Sequence, residues 1–216
     1  MGALPGDETA DDNEKPRHAI RFERGFAIGV REVSVGEFRR FIDATGHQTR
    51  AVRRGFSMVY DERTGNFLRR SNVDWRSDYV GRPAGDTMPV LPVSAKDAQA
   101  YVDWLSAQSG QRYRLPSEAE FEYAYRAGTS ERWPWGEGTP PEEAGNVTGA
   151  LDRSPSGRTW GNAFPDYGDG HWGPAPVASC PPNRWSVYDL AGNVSEWMAD
   201  CWRATWPMRW TCRSAT

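Results

Sequence analysis

Apolar and polar residues alternate in two short stretches near the start of the chain, Ile20-Arg21-Phe22 and Phe26-Ala27-Ile28-Gly29-Val30, with Glu23-Arg24-Gly25 between them. A period of two puts every second side chain on one face, so the pattern predicts two short strands. From Ser34 the period lengthens. Ser34-Val35-Gly36-Glu37 has the form of a capping box, and Val35, Phe38, Phe41, Ile42 and Thr45 recur at helical spacing until Gly46 offers a left-handed stop. The same grammar predicts a second helix from Ser94, with Asp97 three residues on, a stripe of Ala98, Tyr101, Val102 and Leu105, and Gly110 as its end. A third starts at Ser117 behind Pro116, with Glu120 closing the box, Phe121, Ala124 and Tyr125 on its buried side, and Gly128 as its stop. A short extended piece, 111–115, joins the last two. Residues 47–93 hold no sustained period and are punctuated by Gly55, Gly65, Gly81, Pro83, Gly85, Pro89 and Pro92, which predicts a long packed loop. Beyond Gly128 no helical pattern recurs. So much irregular chain needs a functional site or something that ties the backbone down, and bound cations are one such tie.

Composition narrows the class. A chain of 216 residues suits one domain with a sizeable core, and 22 Gly with 16 Pro make it turn-rich and argue against a helical bundle. Eleven Trp, eight Tyr and eight Phe within a hydrophobic fraction of only 38% point to a core resting on a few aromatic anchors. Trp133, Trp135, Trp185 and Trp197 are assigned to packing on that ground. The net charge of −3 gives no overall basic field, so no nucleic-acid and no membrane partner is expected. No apolar run approaches the roughly 20 residues of a membrane span, and no export signal is written, which leaves the cytoplasm as the default compartment. Cys180, Cys201 and Cys212 with His18, His47 and His171 lack the spacing of a zinc site or a disulfide framework. The polar opening, residues 1–15, reads as a surface loop or tail with little core. Near the other end Asp189, Asn193 and Glu196 bracket Ala191-Gly192, where a turn can set backbone carbonyls beside hard carboxylate oxygens of the kind Ca²⁺ prefers. The same residues also suit a plain turn with a surface ion pair.

Three ordered motifs carry a resemblance. Arg114-Leu-Pro-Ser-Glu-Ala-Glu-Phe-Glu-Tyr-Ala, Trp133-Pro-Trp-Gly and Pro181-Pro-Asn-Arg-Trp-Ser-Val-Tyr-Asp-Leu-Ala-Gly-Asn-Val-Ser-Glu-Trp, preceded by Glu32-Val-Ser and Leu91-Pro-Val-Ser, resemble the formylglycine-generating enzyme, or sulfatase-modifying factor, family over residues 16–202. The resemblance implies a single α+β domain, a variant of the C-type lectin fold with low regular secondary structure, followed by an atypical tail at 203–216. It also implies structural Ca²⁺. A first site matches the Asp189 and Glu196 side chains with the Gly192 and Val194 carbonyls, and a second matches the Asn146 and Asp169 side chains with the Val147 and His171 carbonyls.

The parent chemistry implied is copper- and O₂-dependent oxidation of a sulfatase cysteine to formylglycine, on an unfolded protein or peptide substrate. In that family copper is bound by two cysteines after a Gly-Gly-Ser motif. This chain has no such motif and runs from Glu196-Trp197 into MADCWRATWPMRWTCRSAT. Cys201 and Cys212 are the remaining thiols that a soft Cu(I) ion could take there, but they do not match the family's pair, so no catalytic residue is carried over. Both ends fall inside the family's pattern, and the domain is expected to be truncated at each. Two other readings stand beside this one: a non-catalytic lectin-like module that recognises protein or glycan, and a sulfoxide-synthase-type domain that needs a separate iron-binding domain.

Overall fold

The computed structural model describes residues 1–201. Its helices start as the capping grammar dictates. In α1 (Val35–Thr45) the Ser34 hydroxyl accepts from the Glu37 amide at 3.2 Å and the Glu37 carboxylate accepts from the Ser34 amide at 3.0 Å. The same reciprocal pair opens α3 (Ala95–Ser109) at Ser94 and Asp97, and α4 (Glu118–Arg126) at Ser117 and Glu120. Gly46 and Gly110 close α1 and α3 in the left-handed conformation. The expected stop at Gly128 falls one residue late: buried Ala127 itself takes the left-handed conformation, with φ 45°, and its amide reaches the Tyr123 carbonyl.

Each capping acid has a second task. Arg31 grips Glu37 with two nitrogens at 2.9 and 2.8 Å, Arg114 grips Glu120 with two at 2.6 Å, and the His47 ring meets Asp97 at 2.9 Å. Asp97, 1% exposed, also accepts the Arg50 amide at 3.2 Å and so anchors the short helix α2 (Arg50–Arg54). Charged, multidentate hydrogen bonds of this kind fix geometry as well as contribute stability. They lock the segments before and between the helices to the helix starts.

Behind those caps lies the aromatic core that the composition called for. Val35, Phe38 and Phe41 of α1 pack on Tyr101 of α3 and on Trp75 from the following loop. Phe38 stacks on Tyr101 at 5.8 Å between ring centres, and Phe41 meets the same ring edge-on at 5.7 Å. Burying such rings is where a core with few aliphatic residues gains most of its hydrophobic stabilisation.

Two expectations are corrected. The alternating stretches at 20–22 and 26–30 form no strand, because they have no ladder partner: Ile20 and Val30 are exposed, and Phe22 and Phe26 instead pack edge-on against Tyr123 of α4, at 5.3 and 6.1 Å. The region 47–93 is not all loop. Besides α2 it holds the hairpin of β1 (Phe56–Asp61) and β2 (Asn66–Ser71), antiparallel, with Phe56 opposite Ser71 and Asp61 opposite Asn66. Gly65, with φ 74°, supplies the turn between them, and its amide bonds the Asp61 carbonyl at 2.8 Å. Phe56, Met58 and Tyr60 share one face while Val59, 1% exposed, fills the other. Every residue of β2 is exposed, so that strand shows no apolar alternation to read.

From residue 129 to 201 no helix or strand occurs among the described residues. Stacked indoles and buried polar bonds hold this half together: Trp160 on Trp172 at 4.5 Å, Trp133 on Trp135 at 5.4 Å, and the Tyr167 hydroxyl donating to the Gly145 carbonyl at 2.6 Å. The architecture is therefore a single mixed domain of helix and sheet with an irregular half. The opening segment lies on its surface, tied to α4 by the Gly2 amide on the Glu122 carboxylate at 3.1 Å and to itself by His18 N–H to the Met1 carbonyl at 2.9 Å. No described helix is long and apolar enough to cross a membrane.

The clamp at Glu120 generates a stability prediction. Hydrogen bonds from Arg114, with help from Ser117, hold its carboxyl down at about 2 against an ordinary value of 4.5. A depressed acid contributes stability above its unfolded pKa and loses it as pH falls through the folded one. Glu120→Gln is expected to lower the urea unfolding free energy by about 2 kcal/mol at neutral pH. The gap to wild type should close as the pH drops from 4.5 towards 2.

Candidate cation site and cleft

The turn from Ser186 to Glu196 is built from left-handed residues. Ser186, Asp189 and Asn193 have φ of 60°, 61° and 60°, conformations that Asn and Asp tolerate through local hydrogen bonding. Asn193 is the joint. Its amide donates to the Asn146 carbonyl at 2.8 Å, its Oδ1 accepts the Ala175 amide at 2.8 Å, and its Nδ2 donates to Glu32 Oε2 at 2.7 Å. Gly192 lies against the 146–147 backbone so closely that a Cβ there would stand 2.1 Å from the Asn146 carbonyl oxygen. No other residue fits.

Three carboxylates share this neighbourhood. Glu32, from the loop before α1, is 7% exposed, and its Oε1 is buried without a hydrogen-bond partner. Burial first, then the negative charges of Asp189 and Glu196, push its carboxyl up to about 8, against the pull of the Asn193 amide group. Glu196 is raised to about 7 by burial and by Asp189; it keeps solvent contact, so its shift is the softer of the two. Asp189 is raised by burial, though its Oδ2 accepts the Ala178 amide at 2.6 Å and Arg31 opposes the shift. Burial and like charge thus disfavour the ionised form of each carboxylate.

A second polar pocket adjoins it. Asp169 accepts the His171 amide on Oδ1 at 2.8 Å, while its Oδ2 is buried and unpartnered, and burial raises its pKa, with Asp152 adding to the rise. Asn146 donates through Nδ2 to the Gly173 carbonyl at 2.9 Å, which leaves its Oδ1 free to face another group. Among the described residues none of the carbonyls of Gly192, Val194, Val147 and His171 accepts a hydrogen bond.

The structure therefore brings the sequence-predicted residues into two adjacent clusters: Asp189, Gly192, Val194 and Glu196 on one turn, and Asn146, Val147, Asp169 and His171 beside it. Glu32 escaped the sequence reading. Its signal was an acid in Glu32-Val-Ser directly before a capping box, indistinguishable in sequence from a surface residue. Among the described residues no three His, Cys, Asp or Glu side chains converge as a metal held by side chains alone requires. The donor sets here are two side chains with two carbonyls each, a hard all-oxygen chemistry that suits Ca²⁺ and not a soft or imidazole-seeking metal.

Next to these clusters opens a cleft of about 990 Å³. Its lining includes the cluster residues Asn146–Val147 and Gly192–Ser195 and the β1 residues Phe56, Met58 and Tyr60. Trp133, Trp160, Trp172 and Trp197 also line it. The assignment of all four singled-out Trp to packing is corrected in part: Trp133 and Trp135 do stack, but Trp197 is 49% and Trp185 42% exposed, Trp197 being held by its indole N–H on the Val93 carbonyl at 3.1 Å. No thiol lines this cleft among the described residues. Cys180 is half-buried and burial pushes its thiol up, away from reactive thiolate character; Cys201 is disulfide-bonded, and Cys212, like the tail at 203–216, lies outside the described residues.

With that geometry in place, relatives can be compared. The sulfatase-modifying factor enzyme 1-like domain matches residues 2–212. The chain is 33% identical to the formylglycine-generating enzyme of Thermomonospora curvata, over 95% of this chain and 69% of that protein. It is 30% identical to the inactive C-alpha-formylglycine-generating enzyme 2 of Mus musculus, over 93% of this chain and 66% of that protein. The solved structure of PvdO from Pseudomonas aeruginosa superposes with a TM-score of 0.64 at 29% identity, covering 95% of this chain and 68% of that one. The chain belongs to the sulfatase-modifying factor family. It spans about two thirds of the length of these relatives.

Two outcomes follow from the crowded carboxylates. An acid whose folded pKa is raised stabilises fully below its unfolded value and loses that contribution as pH climbs through the folded one. In chelator, the melting temperature is expected to fall as pH rises from about 4.5 to about 8, and Glu32→Gln should flatten that fall. Gly192→Ala is expected to cost about 3 kcal/mol or more in urea unfolding, because its new Cβ displaces the Asn146 carbonyl.

Proposed function

We propose that this chain is a calcium-stabilised, polypeptide-binding domain of the sulfatase-modifying factor family, with the extended cleft as the polypeptide's seat. The observation that carries the reading is the cleft itself. It is about 990 Å³ in volume and is lined both by aromatic rings and by residues of the two oxygen-rich clusters. A cleft of this size that offers rings for apolar contact and backbone groups for hydrogen bonds suits an unfolded segment.

Calcium would be held by the Asp189 and Glu196 carboxylates with the Gly192 and Val194 carbonyls, and a second ion by Asn146 and Asp169 with the Val147 and His171 carbonyls. The orphaned oxygens of Glu32 and Asp169 and the unbonded carbonyls support this assignment. The ion supplies positive charge and a rigid tie, and takes no part in a reaction step. The protein's residues do the rest: Asn193 pins the turn to Glu32, Ala175 and Asn146, and so fixes the cleft wall. A topology built as a variant of the C-type lectin fold is part of the same proposal, and it rests on the family rather than on strand count.

For the family's cysteine oxidation, the part that the described residues can perform is to hold and orient the polypeptide. The thiolate pair that would take copper does not fit the described cleft lining, so no step is routed through it. Family membership does not decide activity either, since a relative named formylglycine-generating enzyme and one named inactive are 33% and 30% identical to this chain.

Fluorescence anisotropy with a labelled, cysteine-containing unfolded peptide tests the proposal. Binding is expected in calcium, weakened about tenfold by the joint substitution Tyr60→Ala with Trp160→Ala and weakened again by chelation. Absence of peptide binding, or binding of a glycan in its place, would contradict it.

A further inference from the structure

The lip of the cleft differs from its walls. Arg50 and Arg54 both line it, four residues apart on α2, so their side chains share one helix face. Arg69 stands opposite Met58 in the hairpin, hence on the same sheet face, with its guanidinium 3.6 Å over the Phe56 ring. All three arginines are exposed. Arg31, Arg76, Arg114 and Arg126 are each held by a carboxylate, whereas Arg50, Arg54 and Arg69 form no ion pair among the described residues.

Among the described residues the one carboxylate lining the cleft, Asp78, makes no ion pair with them, and its Oδ1 accepts the Val80 and Arg82 amides at 3.0 and 2.8 Å. A further donor is also unmet: the buried Trp172 indole N–H, on the cleft wall, has no acceptor. Two like charges at a four-residue spacing repel each other and cost the helix a few tenths of a kcal/mol, which a bound anion would reverse. Three guanidinium groups without a carboxylate partner among the described residues make this lip cationic, so its complement is an acidic side chain carried by the bound segment.

We propose that the cleft selects polypeptide segments carrying an acidic residue, Asp or Glu, which docks against Arg50 and Arg54 while the neighbouring side chains lie on the β1–β2 aromatic face. This rests on the polypeptide-binding reading above and adds to it a charge preference and the residues that set it. Arg69 flanks the same path, braced by Phe56, and extends the positive lip along the hairpin.

The test uses the full 216-residue chain in calcium and three labelled dodecapeptides of one sequence, differing only in carrying two Asp, two Asn or two Lys at the same positions. The Asp peptide is expected to bind about tenfold more tightly than the Asn peptide, with the Lys peptide weakest, and the spread should shrink as salt is raised. The double variant Arg50→Gln with Arg54→Gln should bring the three affinities within about threefold of one another. Reversal of both charges, Arg50→Glu with Arg54→Glu, should make the Lys peptide the best ligand, a gain that a misfolded protein could not show. Equal affinities in the wild type, or an Asp preference that survives the Gln pair, overturns the charge assignment and leaves polypeptide binding standing. Failure of all three peptides to bind overturns both.

Discussion

Carboxylate crowding at the turn before residue 196 is the constraint on which the rest of the molecule depends. Glu32 comes from the helical half, and Asp189 and Glu196 come from the irregular half; Asn193 bonds the first of them directly to the turn. The two halves of the chain therefore meet at a point of like charge. Nothing in the side-chain set neutralises all three, since Arg31 acts on Asp189 and is itself committed to Glu37. Under the proposed reading a hard cation there would turn this repulsion into attraction and take up the Gly192 and Val194 carbonyls. That same backbone lines the cleft, so the stability of the turn and the shape of the cleft become one property.

Elsewhere in the molecule buried and half-buried acids meet protein cations. The three capping acids, Glu37, Asp97 and Glu120, each satisfy a helix N-terminus and an adjacent Arg or His at once. One carboxylate so placed meets both the orphan amides of the first turn and a cation that would otherwise leave its segment loose. This explains how a chain with few strands keeps long connections in register. The contrast with the 186–196 turn is instructive, because there the acids outnumber the available cations.

The three longer helices, α1, α3 and α4, were legible because their signals are local: Ser34, Ser94 and Ser117 open them, and the apolar stripe that follows ends at a left-handed residue. The hairpin was not legible, because β2 lies wholly exposed and its sequence, Asn-Phe-Leu-Arg-Arg-Ser, shows no burial period; only Gly65 hinted at a turn. The stretches around Ile20 and Phe26 misled for the opposite reason, their alternation serving packing on Tyr123 rather than a ladder. Of the oxygen-rich site, the turn acids could be picked out by their clustering in sequence, whereas Glu32 lies 161 residues from its partner Asn193 and can be found only in three dimensions. The cationic lip was hidden likewise, since Arg50 and Arg54 face the same cleft as Trp197 only after folding.

Amide hydrogen exchange, followed residue by residue with and without calcium, addresses the central claim most directly. If a cation ties the irregular half, the amides of Ala175, Ala178 and Asn193, which bond within and around the turn, should exchange slowly in calcium and much faster in chelator. Amides in α1 and α3 should change little. Equal protection of the turn amides under both conditions would contradict the account.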